Sequence, residues 1–176
     1  MSHLVLVGLM GSGKTSVGRV CAARLDRPFV DVDEQVEAVT GRPVAEIFAT
    51  DGEVAFRALE RSAIADVCAS PTPLVVACGG GAMGDAENRR RVRDAGFVVW
   101  LTADPETLAA RVGTGSGRAR RPLLAGSDAP VATLARLAAV RAPAYEAVAH
   151  AVVDTAGHSI DEVATLVLEE LARCPA

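Results

Sequence analysis

Residues 8–15 read Gly8-Leu9-Met10-Gly11-Ser12-Gly13-Lys14-Thr15, which satisfies the pattern GxxxxGK followed by Ser or Thr at every fixed position. An apolar run, Leu4–Val7, stands directly before it. A helical pattern (Val17, Val20, Cys21, Leu25) stands directly after. Strand, glycine-rich turn and helix in that order let the backbone wrap, so that successive N–H groups face an anion at a helix N-terminus. The segment therefore predicts a phosphate cradle made by Gly11, Ser12, Gly13, Lys14, Thr15 and Ser16. Lys14 is expected to reach the β- and γ-phosphates of ATP, and the Thr15 hydroxyl to ligate magnesium.

The rest of the chain repeats this alternation. Short apolar runs at Leu4–Val7, Phe29–Val32, Leu74–Ala77, Phe97–Leu101 and Ala151–Val153 read as strands, with amphipathic stretches between them. Thr50-Asp51-Gly52-Glu53 reads as a capping box opening a helix with Phe56, Leu59, Ala63 and Val67 on one face. Asp104-Pro105 and Ser159 with Glu162 mark two further helix starts. The expectation is an α/β fold, a parallel sheet with helices on both faces. No linker or internal repeat divides the 176 residues, so one domain over 1–176 is expected.

Composition narrows the function. A net charge of −4 speaks against a general nucleic-acid binder. The apolar runs are strand-length, too short for a membrane span, and the N-terminus lacks the layout of a secretory signal; the cytoplasm is the expected compartment. Cys21, Cys68, Cys78 and Cys174 form no CxxC pair and have no His-rich neighbour, so buried thiols are expected rather than zinc or disulfides. Nothing marks an interface, and a monomer is the expectation.

Three features at expected strand ends, and one loop, suggest an acceptor site. Alternation through Asp31-Val32-Asp33 points both carboxylates to one side, one nearer a metal and one nearer an acceptor; Asp33 could equally cap a helix before Glu34-Gln35. Gly79-Gly80-Gly81 permits close backbone approach to a ligand, and a loose turn would read the same way. Arg57 has Glu60 one turn on, as an acceptor contact or as an ordinary ion pair. Val112–Arg121, with three glycines and then three arginines, reads as a loop closing over an anion, or as a plain solvated loop. No NKxD guanine-reading motif is present.

Together these features resemble shikimate kinase over almost the full length. The carrying segments are GLMGSGKTSVGR at 8–19, DVD at 31–33, TGRPVAEIFATDGEVAFRALE at 40–60, CGGGA at 78–82, RPLLAG at 121–126 and RAPAYEAVA at 141–149. The resemblance implies a five-stranded parallel sheet flanked by helices, as in nucleoside monophosphate kinases, with a mobile lid at about 112–124. It also implies ATP and shikimate as substrates, Mg2+ as cofactor, and phosphate transfer to the 3-hydroxyl. Carried over by position, Thr15 and Asp31 organise magnesium, and Asp33 binds the ring hydroxyls and orients or deprotonates the one attacked. Arg57 and Arg141 fork onto the carboxylate, with Gly79, Gly80 and Gly81 completing that pocket and Glu60 steadying Arg57. Arg121 reaches the transferring phosphate.

The chain departs from the family pattern in three places. Ala77-Cys78 replaces a usual Ser or Thr that supports magnesium through water. The longer lid leaves open which of Arg111, Arg118 and Arg120 meets the nucleotide. Gly157-His158-Ser159-Ile160 replaces an adenine loop that often carries Arg and Pro, where His158 could contact the base or be a plain surface residue. Another small-metabolite kinase, such as one acting on gluconate, and a non-catalytic nucleotide-binding module are the alternatives.

Overall fold

The computed structural model describes residues 3–113 and 129–174. Five parallel strands, β1 (His3–Val7), β2 (Phe29–Asp31), β3 (Val75–Ala77), β4 (Gly96–Thr102) and β5 (Ala151–Asp154), form one sheet in the order β2-β3-β1-β4-β5. The helices are α1 (Lys14–Leu25), α2 (Val32–Thr40), α3 (Val44–Thr50), α4 (Gly52–Cys68), α5 (Ala86–Ala95), α6 (Pro105–Gly113), α7 (Pro130–Val148) and α8 (Ile160–Arg173), with a 3₁₀ turn at Ala82–Gly84.

Alternation along β1 decides which layer each residue joins. Leu4 and Leu6 pack with Val75, Val99 and Leu101 against Val17 and Cys21 of α1 and Val163 and Val167 of α8. Val5 and Val7 face the other way, with Val76 and Val98, onto Ile47, Ile64, Leu108, Leu134 and Tyr145. Both faces are covered, so every residue of β1 is buried. Each such Val or Leu contributes about 1.5–3 kcal/mol on burial, which makes this central strand the anchor of the fold.

The strand order reverses at β1: the chain moves outward to β2, returns through β3, then crosses to β4. In an open parallel sheet a ligand site forms beyond the strand ends at that reversal. Register brings the relevant ends level, Asp31 beside Ala77 and Leu6 beside Ala77. The loop after β1, the first turn after β2 and the glycines after β3 thus emerge together.

Three sequence expectations change in the structure. The capping box at Thr50 does not form. Thr50 is the last residue of α3, and its hydroxyl donates to the Glu46 carbonyl (2.9 Å), while Asp51 accepts from Arg42 at 2.7 Å. Gly52, with φ of 82°, makes the break between α3 and α4 instead. The second strand stops at Asp31, and Val32 and Asp33 already belong to α2. Cys174 is exposed, and Cys68 is only partly buried. The other helix starts are as expected: Asp104 accepts from the Thr107 N–H at 2.7 Å, and Ser159 and Glu162 form a full capping box.

Candidate active site

Gly13 adopts φ of 91° immediately before α1, a left-handed turn that aims the first helical N–H groups back toward the loop. Gly11, at φ of 81°, lies so close to α6 that a Cβ would sit 2.9 Å from the Leu108 carbonyl oxygen. The loop is therefore held from behind while its front opens into a cavity of about 710 Å³. Gly11, Ser12, Gly13, Lys14, Thr15 and Ser16 all line that cavity. Lys14 Nζ arches over the loop, donating to the Gly8 and Leu9 carbonyls at 2.9 and 2.8 Å. The Ser12 hydroxyl is buried with no hydrogen-bond partner among the described residues.

Asp31 and Asp33 both line the cavity, for a different reason than strand alternation. Asp31 caps α2: its Oδ1 accepts from the Asp33 N–H at 3.1 Å, and its Oδ2 accepts from the Thr15 hydroxyl at 2.7 Å. The turn of helix then carries Asp33 inward. Its Oδ1 is buried with no hydrogen-bond partner among the described residues. Burial, then the charges of Asp31 and Glu60, push the Asp33 carboxyl up to about 7, against the opposing pull of Lys14 and Arg57.

The glycine run fits between these groups because it has no side chains. A Cβ on Gly79 would collide with Glu60 Oε1 and lie 2.9 Å from Asp33 Oδ1; one on Gly81 would collide with the Arg57 guanidinium. Arg57 is held by Glu60 (Nη1 to Oε2, 2.7 Å) and by Glu53 (Nη2 to Oε1, 3.0 Å). Arg141, from α7, reaches the same wall and donates from Nη1 to the Gly80 carbonyl at 2.9 Å. Val44, Phe48 and Phe56 add an apolar side beside this polar cluster. The arrangement sets a phosphate cradle, one carboxylate able to hold a proton near neutral pH, and two guanidiniums around a single cavity.

At the other end, His158 is exposed on the cavity rim. Arg111 lies against Thr155, donating to its hydroxyl at 2.8 Å and its carbonyl at 2.7 Å, and approaches the Gly11 carbonyl at 3.4 Å. Cys78 is buried where it borders the cavity, and burial raises its thiol well above the ordinary range. Arg118, Arg120 and Arg121, with most of the expected lid, lie outside the described residues. Sequence reasoning missed Thr155, the Phe48–Phe56 wall and Tyr145. Only Tyr145 had a signal, its place in RAPAY one helical turn after Arg141.

The thiol-free oxygen pair at Thr15 and Asp31 suits a hard cation such as Mg2+, which keeps several waters and takes the remaining ligands from phosphate.

Comparison with known proteins gives one consistent answer. The family model for shikimate kinase matches residues 10–172. A shikimate kinase of Symbiobacterium thermophilum is 50% identical over 169 residues, covering 96% of this chain and 95% of its own length. Another, of Caulobacter vibrioides, is 51% identical over 142 residues, covering 81% of this chain and 68% of its own. The solved shikimate kinase from Acinetobacter baumannii in complex with shikimate superposes with a TM-score of 0.92 at 35% identity, covering 98% of this chain and 93% of its own. A gluconokinase from Sinorhizobium meliloti reaches 0.62 at 24% identity, a likeness of fold alone.

Proposed function

The chain belongs to the shikimate kinase family, and on that premise we propose how its residues divide the work. It is an ATP-dependent kinase with shikimate as acceptor. The observation that carries the assignment of roles is the single cavity holding Lys14 and Asp33 with Arg57 and Arg141 on its acceptor side.

Lys14 exchanges its two backbone carbonyls for the β- and γ-phosphate oxygens of ATP, and the N–H groups from Gly11 to Ser16 surround the phosphates. Thr15 and Asp31 would hold Mg2+, whose charge would offset that developing on the phosphate. Arg57 and Arg141 take the shikimate carboxylate, since a guanidinium presents paired donors that match its two oxygens. Gly79 lets Glu60 and Asp33 stand close against the acceptor side, and the Gly80 and Gly81 N–H groups face the same carboxylate. Phe48, Phe56 and Val44 pack against the ring's apolar side. Asp33 orients the 3-hydroxyl and accepts its proton as the oxygen bonds to the γ-phosphorus and the bond to the ADP oxygen breaks. Arg121 stabilises the transferring phosphate, and His158 contacts the adenine. The products are shikimate 3-phosphate and ADP.

A monomer is the proposed state. The cytoplasm, where ATP is made, is the proposed compartment. No helix among the described residues is long and apolar enough to cross a membrane. Nucleic acid is not a proposed partner.

ADP release measured with Mg2+, ATP and an acceptor panel tests the reading. Turnover with shikimate, and none above background with gluconate or without acceptor, is expected. Turnover on gluconate alone would move the protein to the sugar-acid kinases. No turnover on either would leave a nucleotide-binding module.

A further inference from the structure

Tyr145 is the chain's only tyrosine and is 1% exposed. It does not line the active-site cavity, yet its hydroxyl donates to the Gly80 carbonyl, the same atom that accepts from Arg141 Nη1 at 2.9 Å. Its ring is fixed against Trp100, with centroids 5.4 Å apart and planes at 36°. Arg141 and Tyr145 stand four residues apart on α7, so one face of the helix offers both donors to one acceptor. Burial pushes the phenol up to about 12, which keeps it a proton donor at any working pH.

A trans peptide is planar, so the Gly80 carbonyl and the Gly81 N–H point in opposite directions within one plane. Glycines on either side supply no side chain to fix that plane. The clamp on the carbonyl sets it: with the oxygen drawn toward α7, the Gly81 N–H is turned to the opposite side. The P-loop also crowds Gly80: a Cβ there would stand 3.4 Å from Arg141 Nη1 and 3.5 Å from the Gly8 carbonyl oxygen and the Met10 nitrogen.

Arg141 has two duties that compete. When its guanidinium turns to an acceptor carboxylate, its bond to the Gly80 carbonyl weakens or breaks. We infer that Tyr145 is a positioning residue for the acceptor: its hydroxyl keeps the Gly80 carbonyl in place, so that Arg141 can turn to the substrate while the Gly81 N–H stays aimed at it. This inference rests on the reading that Arg141 and the Gly80–Gly81 segment hold the shikimate carboxylate.

Tyr145→Phe removes only the hydroxyl and keeps the ring against Trp100. Steady-state kinetics of both proteins with shikimate and with its neutral carboxamide separate the outcomes. The wild type should show a higher KM for the carboxamide. The variant should raise the shikimate KM about three- to tenfold, the worth of one buried hydrogen bond, with kcat and the KM for ATP nearly unchanged. The carboxamide KM should hardly move. An unchanged shikimate KM, or an equal loss with both acceptors and with ATP, overturns the inference, the latter pointing to a merely structural hydroxyl. A wild type that uses both acceptors equally contradicts the carboxylate reading itself, whatever the variant does. A second measurement needs no substitution: 3-fluorotyrosine incorporation gives one fluorine resonance, from Tyr145. It should shift on saturation with shikimate and not with the carboxamide; a resonance unmoved by shikimate overturns the inference.

Discussion

Glu60 Oε2 lies 2.7 Å from Arg57 Nη1, one turn along α4, with the glutamate side chain only 1% exposed. Arg57 has a second partner, Glu53, at 3.0 Å, but that side chain is 55% exposed. An exposed pair contributes about 0–1 kcal/mol, whereas breaking a buried one by removing a partner costs about 3–5 kcal/mol. Glu60 therefore sets where the guanidinium stands. Glu60→Ala should raise the shikimate KM on the order of tenfold with the KM for ATP little changed. Glu53→Gln should be nearly silent. Equal effects from the two variants would mean that the buried carboxylate is not the anchor.

Arg57→Lys keeps the charge and loses the planar pair of donors. Its shikimate KM should also rise on the order of tenfold, while ADP affinity, measured by titration, stays the same. A lysine variant with unaltered shikimate kinetics would remove Arg57 from the acceptor pocket.

Asp33→Asn should act on turnover rather than on binding. An amide still hydrogen-bonds a hydroxyl but accepts no proton, so kcat should fall about 10²–10⁴-fold. In metal- and substrate-free protein the same change should stabilise. The Asp33 carboxyl is raised in the folded state from 3.8 to about 7. Its contribution is thus lost as pH climbs through that window, and above it a buried charge weighs against folding. With chelator present, the variant should melt higher than wild type at pH 8 and about equally at pH 4. A lower melting point at pH 8 would show that the carboxylate is well solvated.

Lys14→Met preserves the apolar stem and removes the ammonium from above the phosphate loop. Turnover should drop by at least about 100-fold in a folded protein. A folded variant that keeps more than about a tenth of wild-type turnover would contradict the phosphate-clamp role.

The buried ring of His3 provides a separate pH test of the fold. Its Nδ1 accepts the Leu74 N–H at 3.0 Å, and burial lowers its pKa below 6.5. A depressed histidine stabilises fully above the unfolded value and loses that contribution as pH falls below 6.5. The stability advantage of wild type over His3→Gln, from urea midpoints, should therefore be larger at pH 8 than at pH 5. An advantage that grows on acidification would show that the charged ring is favoured in the fold.

Much of this architecture is legible in the sequence because each signal is local. The phosphate loop needs glycine where φ is positive, and the strands alternate or run apolar according to what covers them. Asp33 shows how a correct placement can follow from a wrong premise: it faces the cavity because Asp31 caps the helix, two residues before the Asp33 cap that the apolar pattern allows. At Thr50, residues that spell a capping box close one helix instead, because α3 runs on until Gly52 breaks it. The buried state of Glu60 was hidden by its neighbour, since an Arg three residues before a Glu looks the same on a solvated face. Thr155 and Arg111 meet only through the fold, 44 residues apart, so no local pattern announces them.

The central claim is that one cavity joins the Lys14 cradle to a shikimate pocket built around Asp33, Arg57 and Arg141. Phosphorus and carbon NMR of the product formed from ATP, Mg2+ and shikimate tests it most directly. The account predicts a single phosphomonoester at the 3-hydroxyl, in one-to-one ratio with ADP and suppressed in both Lys14→Met and Asp33→Asn. ADP formed without a phosphorylated acceptor, or phosphate on a different hydroxyl, would contradict it.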